Sequence, residues 1–541
     1  MANATALLLI LGFLVGIGAL IALIWASSRG QVHGGPSAAR VIFDPGEEGS
    51  VEDPSATELR RLQAAAGAPG LCCGQTEEDL AARREADLSS RVPVLLFLGS
   101  AALWLVTGSV LGLIVSLKFN FPDWLSSSPL VTFGRLRPLH LNIIAYGWLS
   151  MAGLGVSLWL IPRLLRTPLV GKGFAVVGAL LWDLGVAVGS VALLFGITDG
   201  LEWLEFPWFA DVLLVTAGGL TAMPLLLTLK NKRVEHLYVS TWYIAAALVW
   251  FPILFLVANA SELFSEGVPQ ATVNWWFAHN ALGLWFTPMA LAASYYLIPK
   301  VLGRPIHSYQ LSLLGFWALA LFYSHVGIHH LIGGPVPTWL VTVSVVTSMM
   351  MIVPVVAVAI NQHLTVMGRL RAVVWSPTLR FVVLGAMTYT LVSVQGSLQS
   401  LRSVNTVLHF THATVAHAHL GAYGFASFIF FGAMYFILPR VTRWEWPYPK
   451  LIALHFWLVV VGFGVYFVFL TLGGVLQGLA MLDASRPFME SVEVTLPYLH
   501  ARSLGGTLMA LGHIVFAVHA LLIVLRRGPA RSSAALFVPV S

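Results

Sequence analysis

The sequence predicts an all-α integral membrane protein: twelve spanning helices in one continuous body, preceded by one extra amino-terminal spanning helix. Three observations carry that prediction. Of the 541 residues, 57% are hydrophobic and 10% charged, whereas a soluble globular chain carries about 25% charged residues. Apolar runs of about 20 residues, long enough to cross a bilayer, recur along the whole chain. The basic residues fall in short loops between those runs, and on alternate loops.

The runs lie near 4–26, 93–117, 139–161, 174–197, 208–228, 240–258, 275–299, 310–333, 336–361, 378–398, 408–438, 451–482 and 499–525. The two longest are read as tilted or as running on past the bilayer. The first run has no basic segment before it and is long for the apolar core of a signal peptide, so it is read as a retained helix. Residues 28–91 break the pattern. They are polar and rich in Gly, Pro, Ala and charge, with GEEGSVEDPS and TEEDLAARREAD, and predict a linker with a short amphipathic helix near 76–91. The organisation is then an amino-terminal helix and its flank over 1–45, a polar linker over 46–91, the twelve-helix body over 92–530 and a carboxyl-terminal tail over 531–541.

Loop charge fixes the orientation. One set of loops holds Arg29, Arg40, the basic residues of 81–91, Arg163, Arg166, Lys172, Lys230, Lys232, Arg233, Lys300, Arg304, Arg369, Arg371, Arg380, Arg440, Arg443, Lys450, Arg526, Arg527 and Arg531. The other set is acidic, with Asp199, Glu202, Glu205, Glu262, Glu266, Glu490 and Glu493. The basic side is cytoplasmic, which puts the amino terminus outside and the carboxyl terminus inside. The net charge of +6 is spread over these loops rather than gathered on one face, so a nucleic-acid partner is excluded and the lipid bilayer is the surrounding. The two cysteines, Cys72 and Cys73, are adjacent. They supply neither a disulfide framework, nor a thiolate iron–sulfur cluster, nor a C-x-x-C-H haem attachment.

An ionisable side chain inside a bilayer is costly and points to function. A single intramembrane histidine often does no more than bond a neighbouring helix. Six of the seventeen histidines form a pattern that goes further. His140 opens the third span in TFGRLRPLH. His279 opens the seventh in WWFAHNALG. His329 and His330 end the eighth in FYSHVGIHH, and His417 and His419 form HAH in the eleventh. The alternating direction of the spans brings all six to one depth, in the outer third of the membrane. Imidazole suits both haem iron and copper. Residues 417 and 419 point about 200° apart on a helix, so they serve two flat cofactors on opposite faces. One haem takes His419 with His140 across it and is six-coordinate; the other takes His417 alone and keeps an open face. His279, His329 and His330 then hold a copper opposite that face, a three-histidine site with a vacant position.

These stretches resemble the haem–copper oxygen reductases, and among them the cbb3-type cytochrome c oxidases. The likeness rests on TFGRLRPLH, WWFAHNALG, YYLIPKVLGRPIHSYQLSLLGFWALALFY, the histidine pair, SVNTVLHFTHATVAHAH and LHARSLGG, and covers about residues 93 to 525. It implies the twelve-helix subunit I bundle of a respiratory terminal oxidase in a bacterial cytoplasmic (inner) membrane. It implies a low-spin haem b on His140 and His419, a high-spin haem b on His417, and one copper ion on His279, His329 and His330. It adds Tyr323 as a redox tyrosine, cross-linked in the family to the histidine that corresponds to His279. Oxygen would be reduced to water with proton uptake and pumping. The chain has no electron-receiving centre of its own beyond the haems. The resemblance therefore implies c-type cytochrome subunits on the outer side, with soluble cytochrome c as electron donor. WASSRGQVHGGPSAARVIFDP resembles the small single-helix assembly protein associated with such oxidases, which would make the chain a fusion.

Hydroxyls both donate and accept protons. Tyr295 in the seventh span, with Tyr309 and Ser312 at the inner start of the eighth, form a ladder leading outward to Tyr323, at positions the family uses for its proton channel. Arg135, Arg137 and Arg402 lie near outer helix ends, where they suit haem propionates or serve as ordinary interfacial arginines. Two uses fit Glu202 and Glu205: holding a calcium ion, or shaping the proton exit.

Some positions depart from the family pattern. His412 stands where Asp is usual and His325 where Trp is usual; Ala278 and Ala416 replace glycines before ligand histidines. The main rival is a nitric oxide reductase of the same superfamily, with non-haem iron in place of copper. Such enzymes commonly carry a Glu beside the non-haem metal and lack the tyrosine, whereas here Gly283 follows His279 by four and Tyr323 is present. A transporter is disfavoured by the lack of an inverted repeat.

Overall fold

A computed structural model describes residues 2–32, 35–44, 47–51, 53–56, 77–530 and 538–539. Cys72, Cys73 and the carboxyl-terminal tail apart from residues 538–539 lie outside the described residues. Among the described residues, twelve helices are long and apolar enough to cross a membrane: Arg91–Asn120, Phe133–Leu164, Lys172–Leu194, Trp208–Lys230, Val239–Ser261, Val268–Leu302, Tyr309–Leu331, Thr338–Val366, Pro377–Ser400, His412–Thr442, Lys450–Leu482 and Phe488–Val524. With the amino-terminal helix Ala2–Ser28 before them, they are counted here as the second to thirteenth spans. The fold is the all-α bundle with one extra amino-terminal helix that the sequence predicts.

Burial sorts the helices. The third, seventh and eleventh spans are 94%, 89% and 89% buried over their apolar stretches, against 39–61% for the others. The outer helices turn residues such as Leu103, Leu180, Val249, Leu256, Trp457 and Leu521 outward, the surface a lipid environment demands. The three inner helices carry His140, His279, His417 and His419. Each contains a π-helical stretch just after its histidine: Ile143–Ser150, Leu282–Phe286 and Leu420–Ser427. Such widened turns occur frequently at functional sites.

The eighth span is not one α-helix. Its α-helical part ends at Phe322 and continues as 3-10 turns over Tyr323–His325 and Gly327–Leu331. Gly327 allows this, because a Cβ there would come 2.4 Å from the Trp275 carbonyl oxygen; the turn presses against the seventh span where no side chain fits.

The first helix packs along the seventh and eighth spans. Trp25 meets Trp242 edge-on at 6.4 Å. Just beyond the helix, the Leu237 amide donates to Gln31 Oε1 (2.9 Å) and Gln31 Nε2 donates to the Glu235 carbonyl (3.0 Å). A helix spans Glu77–Ser89, where the sequence predicts one. The described parts of the expected linker are packed rather than free. Lys300 Nζ donates to Glu47 (2.5 Å) and to the Ile42 carbonyl (2.9 Å). Arg83 bonds both Glu47 and Asp44, and Arg163 bonds Asp87 at 2.8 Å. Burial raises the Glu47 carboxyl, but the charges of Lys300 and Arg83 outweigh it and hold the group at about 2. Asp53, fully buried, accepts from Ser376 and from Thr378 Oγ1 (2.9 Å) at the start of the tenth span.

Candidate metal centre

The six histidines line one cavity of about 520 Å³, together with Tyr323, Arg137, His412 and Arg502. Within it, one ligand nitrogen from each of His279, His329 and His330 lies within 4.8 Å of the others. Three features hold this trio. The His329 amide donates to Ser344 Oγ (2.9 Å), and His329 Nδ1 lies 3.0 Å from Ser348 Oγ. The His330 ring stacks on Trp275 at 4.3 Å. His279 Nδ1 is buried with no hydrogen-bond partner, an orphan that burial makes costly unless something binds it. Neutral imidazoles converging with a free nitrogen fit a transition-metal ion, and copper or iron equally by donor type.

A second pair stands in the same cavity. The His140 and His419 rings are 6.4 Å apart and nearly parallel, at 13°. Each Nδ1 bonds a backbone carbonyl: His140 to Gly108 (2.7 Å) and His419 to Val415 (2.9 Å). Such a bond fixes the tautomer and leaves Nε2 for a metal. The separation is right for one metal atom between two imidazoles, at about 2.0–2.1 Å per metal–nitrogen bond. The Tyr466 hydroxyl lies 3.2 Å from His419 Nε2. Gly112 makes room for the His140 ring, since a Cβ there would come 2.6 Å from its Cε1. His417 Nδ1 is 3.1 Å from Gln395 Oε1, and the residue lines the cavity from the same helix turn as His419, with no ring stacked on it among the described residues. The donor set therefore suits two haems and one further metal.

Tyr323 closes the three-histidine side. Its ring centre is 5.2 Å from that of His279. Of the three arginines predicted for propionates, Arg137 lines the cavity and pairs with Glu202 at 2.6 Å. Arg135 donates to the Leu194 carbonyl and Arg402 to Thr342 Oγ1, each at 2.8 Å, and neither lines the cavity. Arg502 does line it, buried, with its guanidinium 4.8 Å over the Phe119 ring. The sequence signal for Arg502 is its place in LHARSLGG. His412 stands beside Phe119 at 5.5 Å, the ring over which Arg502 lies. Glu205 accepts from Asn142 Nδ2 at 2.6 Å, and burial pushes its carboxyl up to about 7.

Tyr295, Tyr309 and Ser312 are all buried. Tyr309 Oη donates to the Leu237 carbonyl and Ser312 Oγ to the Tyr309 carbonyl, both at 2.6 Å. The Asn361 side chain faces the Tyr295 hydroxyl, and the ring stacks on Tyr243 at 5.9 Å. Tyr238 donates to the Tyr295 carbonyl (2.8 Å). Tyr238 and Tyr243 join the ladder from the sixth span, which sequence spacing does not reveal.

Residues 92–508 match the family model described as cytochrome C and quinol oxidase polypeptide I. The chain is 31% identical over 447 residues to the cbb3-type cytochrome c oxidase subunit CcoN1 of Stutzerimonas stutzeri, covering 80% of this chain and 94% of that protein. It is 31% identical over 437 residues to a cytochrome c oxidase subunit 1 homolog of Azorhizobium caulinodans, covering 77% and 79%. A nitric oxide reductase polypeptide of Stutzerimonas stutzeri is 26% identical over 449 residues, covering 77% and 91%. A solved structure of a haem–copper terminal oxidase dimer has the same fold, with a TM-score of 0.67 at 17% identity over 83% of this chain and 86% of that one.

Proposed function

The chain belongs to the cytochrome c and quinol oxidase polypeptide I family and is the catalytic subunit of a terminal oxidase, and on that premise we propose that it reduces oxygen to water at a haem b–copper pair with electrons from cytochrome c. It is a multi-pass membrane protein, a haem and copper oxidoreductase, and one subunit of a larger complex. In this reading His140 and His419 hold a low-spin haem b, His417 holds a high-spin haem b, and His279, His329 and His330 hold copper. Electrons come from c-type cytochrome subunits of the complex, fed by soluble cytochrome c. The membrane is the bacterial inner membrane, with the amino terminus outside and the carboxyl terminus inside.

The observation that carries the reading is the convergence of His279, His329 and His330 within 4.8 Å, with a tyrosine rather than a carboxylate beside them. When bound, the haem–copper pair supplies the site at which oxygen takes up four electrons and four protons to give two waters. The protein's own part is to deliver protons and orient ligands. The Tyr323 hydroxyl, on the cavity wall, is the last donor. Tyr309, Ser312 and Tyr295, with Tyr238 and Tyr243 beside them, offer hydroxyls that ordered water can join into a relay. Arg137 and Arg502 bring positive charge to the cavity wall, where propionates would be met. Between the two uses of Glu202 and Glu205, proton exit is favoured over calcium. Glu202 is already paired with Arg137, and Glu205, near 7, is half protonated at neutral pH, which suits a proton-holding group.

Nitric oxide reduction is the second reading, favoured by the 26% identity to a nitric oxide reductase polypeptide and opposed by Gly283 and Tyr323. Both are tested by purifying the complex and recording reduced-minus-oxidised spectra with and without carbon monoxide, together with metal analysis and gas consumption. Two b-type haems, one binding carbon monoxide, one copper and oxygen uptake are expected. One haem or none overturns the site assignment. Excess iron with nitric oxide uptake overturns oxygen as substrate.

A further inference from the structure

The proposed chemistry gives no part to the amino-terminal helix or to His325, and the two touch. Gly12 lies against the imidazole: a Cβ at position 12 would come 2.5 Å from His325 Nε2 and 2.9 Å from Cδ2. Gly16 and Gly18 of the same helix have nothing within 4 Å of their Cβ positions. Glycine at 12 thus serves a contact that the other two lack.

His325 sits in the 3-10 turn Tyr323–His325, two residues after Tyr323 and four before His329. A 3-10 turn has poorer hydrogen-bond geometry than an α-helix, so its position depends on what packs around it. Three supports are visible. The Ser324 carbonyl accepts from Asn280 Nδ2 at 3.3 Å, beside His279. Ser344 Oγ bridges the Val326 carbonyl (2.5 Å) and the His329 amide (2.9 Å). The third is the His325 ring, with Nδ1 3.1 Å from Ser324 Oγ on one side and Gly12 on the other. The helix that bears Gly12 is itself held at its far end, by Trp25 against Trp242 and by Gln31 on the backbone of Glu235 and Leu237. About 20 Å of helix separates Gly12 from Trp25. It runs as a strut from the Glu235–Leu237 loop to the turn.

We propose that the amino-terminal helix positions the metal-binding turn, with Gly12 seated on the His325 ring to hold Tyr323, His329 and His330 in place. His325 is then a positioning residue and not a ligand. The inference rests on the three-histidine metal site, but not on whether its metal is copper or iron.

The test uses the full chain in its complex and compares Gly12→Leu, Gly16→Leu, and Gly12→Leu combined with His325→Ala. Affinity for the non-haem metal is read by chelator titration, and the six-coordinate haem spectrum gauges folding. Lost supporting contacts lower metal affinity by about 10–100-fold. That loss is expected for Gly12→Leu and absent for Gly16→Leu, with partial recovery in the double variant, where the leucine side chain fills the volume that His325→Ala vacates and restores the contact between helix and turn. Gly12→Ala, which adds only the colliding Cβ, replaces the leucine variant if the latter fails to take up haem. Gly12 variants that hold metal as tightly as Gly16→Leu overturn the proposal, as does a loss that His325→Ala does not relieve. A wild-type complex with no non-haem metal overturns the metal-site reading itself, and shows it before any variant is made.

Discussion

The phenol ring of Tyr323 lies directly over the backbone of Gly283: a Cβ on residue 283 would come 1.8 Å from Cζ and 1.9 Å from Cε1 of the ring. Gly283 follows His279 by one helical turn, so it borders the metal site. Tyrosine at 323 and any side chain at 283 exclude each other. A carboxylate beside the metal and a phenol beside the metal are therefore alternative solutions to one space, and this chain holds the second.

Gly283→Ala is expected to displace the phenol and abolish most oxygen uptake while the low-spin haem spectrum persists. Overpacking of this kind typically costs about 1–3 kcal/mol, too little to unfold the bundle. Oxygen electrode rates read beside the reduced-minus-oxidised spectrum decide the matter; normal rates would show that the ring need not stay where it is.

The ligand sets should separate by mutation. His329→Ala removes one of three converging nitrogens and is expected to empty the copper site, leaving the six-coordinate haem unchanged. His140→Ala or His419→Ala should do the reverse to that spectrum. Metal analysis and optical spectra on the same preparations distinguish the two, and copper retained in His329→Ala would contradict the assignment.

Glu205 is raised by burial from 4.5 to about 7, with the neighbouring Glu202 charge adding to the rise and Asn142 and Arg137 opposing it. A folded-state value above the unfolded one means that the folded protein binds an extra proton between those two values, so this group's contribution to stability grows as pH falls from 7 to 4.5. A protonated-carboxyl infrared band is expected to fade as pH rises through about 7 and to be diminished in Glu205→Gln. Glu262, also pushed up to about 7 by burial and the Asp199 charge, supplies a component that this variant leaves in place. No change in the band on substitution would remove Glu205 from the proton path.

Glu47 lies between Lys300 and Arg83. Glu47→Gln takes a carboxylate from two buried cations, a loss of about 3–5 kcal/mol, read as a lower thermal midpoint of the purified complex. The group is held at about 2 against an ordinary 4.5. Its contribution is therefore complete above 4.5 and lost as pH falls toward 2, so wild type and variant should converge in acid.

Tyr295→Phe keeps the ring stacked on Tyr243 and removes only the hydroxyl. If protons pass this point, oxygen uptake falls by about 10²-fold, the scale of a lost proton-transfer group, with haem and metal content unchanged. Unaltered turnover would redirect the relay to Tyr238 and Tyr243.

The sequence discloses most clearly what depends on depth and on hydropathy. The spans, and the gathering of six histidines into one cavity, follow from hydropathy and from counting turns of helix across loops that alternate in charge. It discloses least where position depends on which face a side chain takes. Arg135 and Arg137 are two residues apart and look equivalent as text, yet one turns to Leu194 and the other to the cavity. Arg502 reaches the cavity from the last span, and Tyr238 and Tyr243 reach the ladder from the sixth. Residues 46–91 read as a linker because they are polar. Glu47, Asp53 and Asp87 are buried all the same, Glu47 and Asp87 because Lys300, Arg83 and Arg163 need them as partners and Asp53 because Ser376 and Thr378 donate to it, and composition alone is silent about partners.

The π-helical stretches in the third, seventh and eleventh spans have a geometric consequence for anyone reading these helices as wheels. A π-bulge takes up an extra residue without advancing the helix, and one residue is about 100° of rotation. His279 precedes such a stretch and Tyr295 follows it, so a wheel drawn straight through both assigns Tyr295 to the wrong azimuth. The histidine and the tyrosine are phased separately, and a single-residue deletion within Leu282–Phe286 would leave His279 and Tyr295 themselves untouched while turning one relative to the other by about 100°.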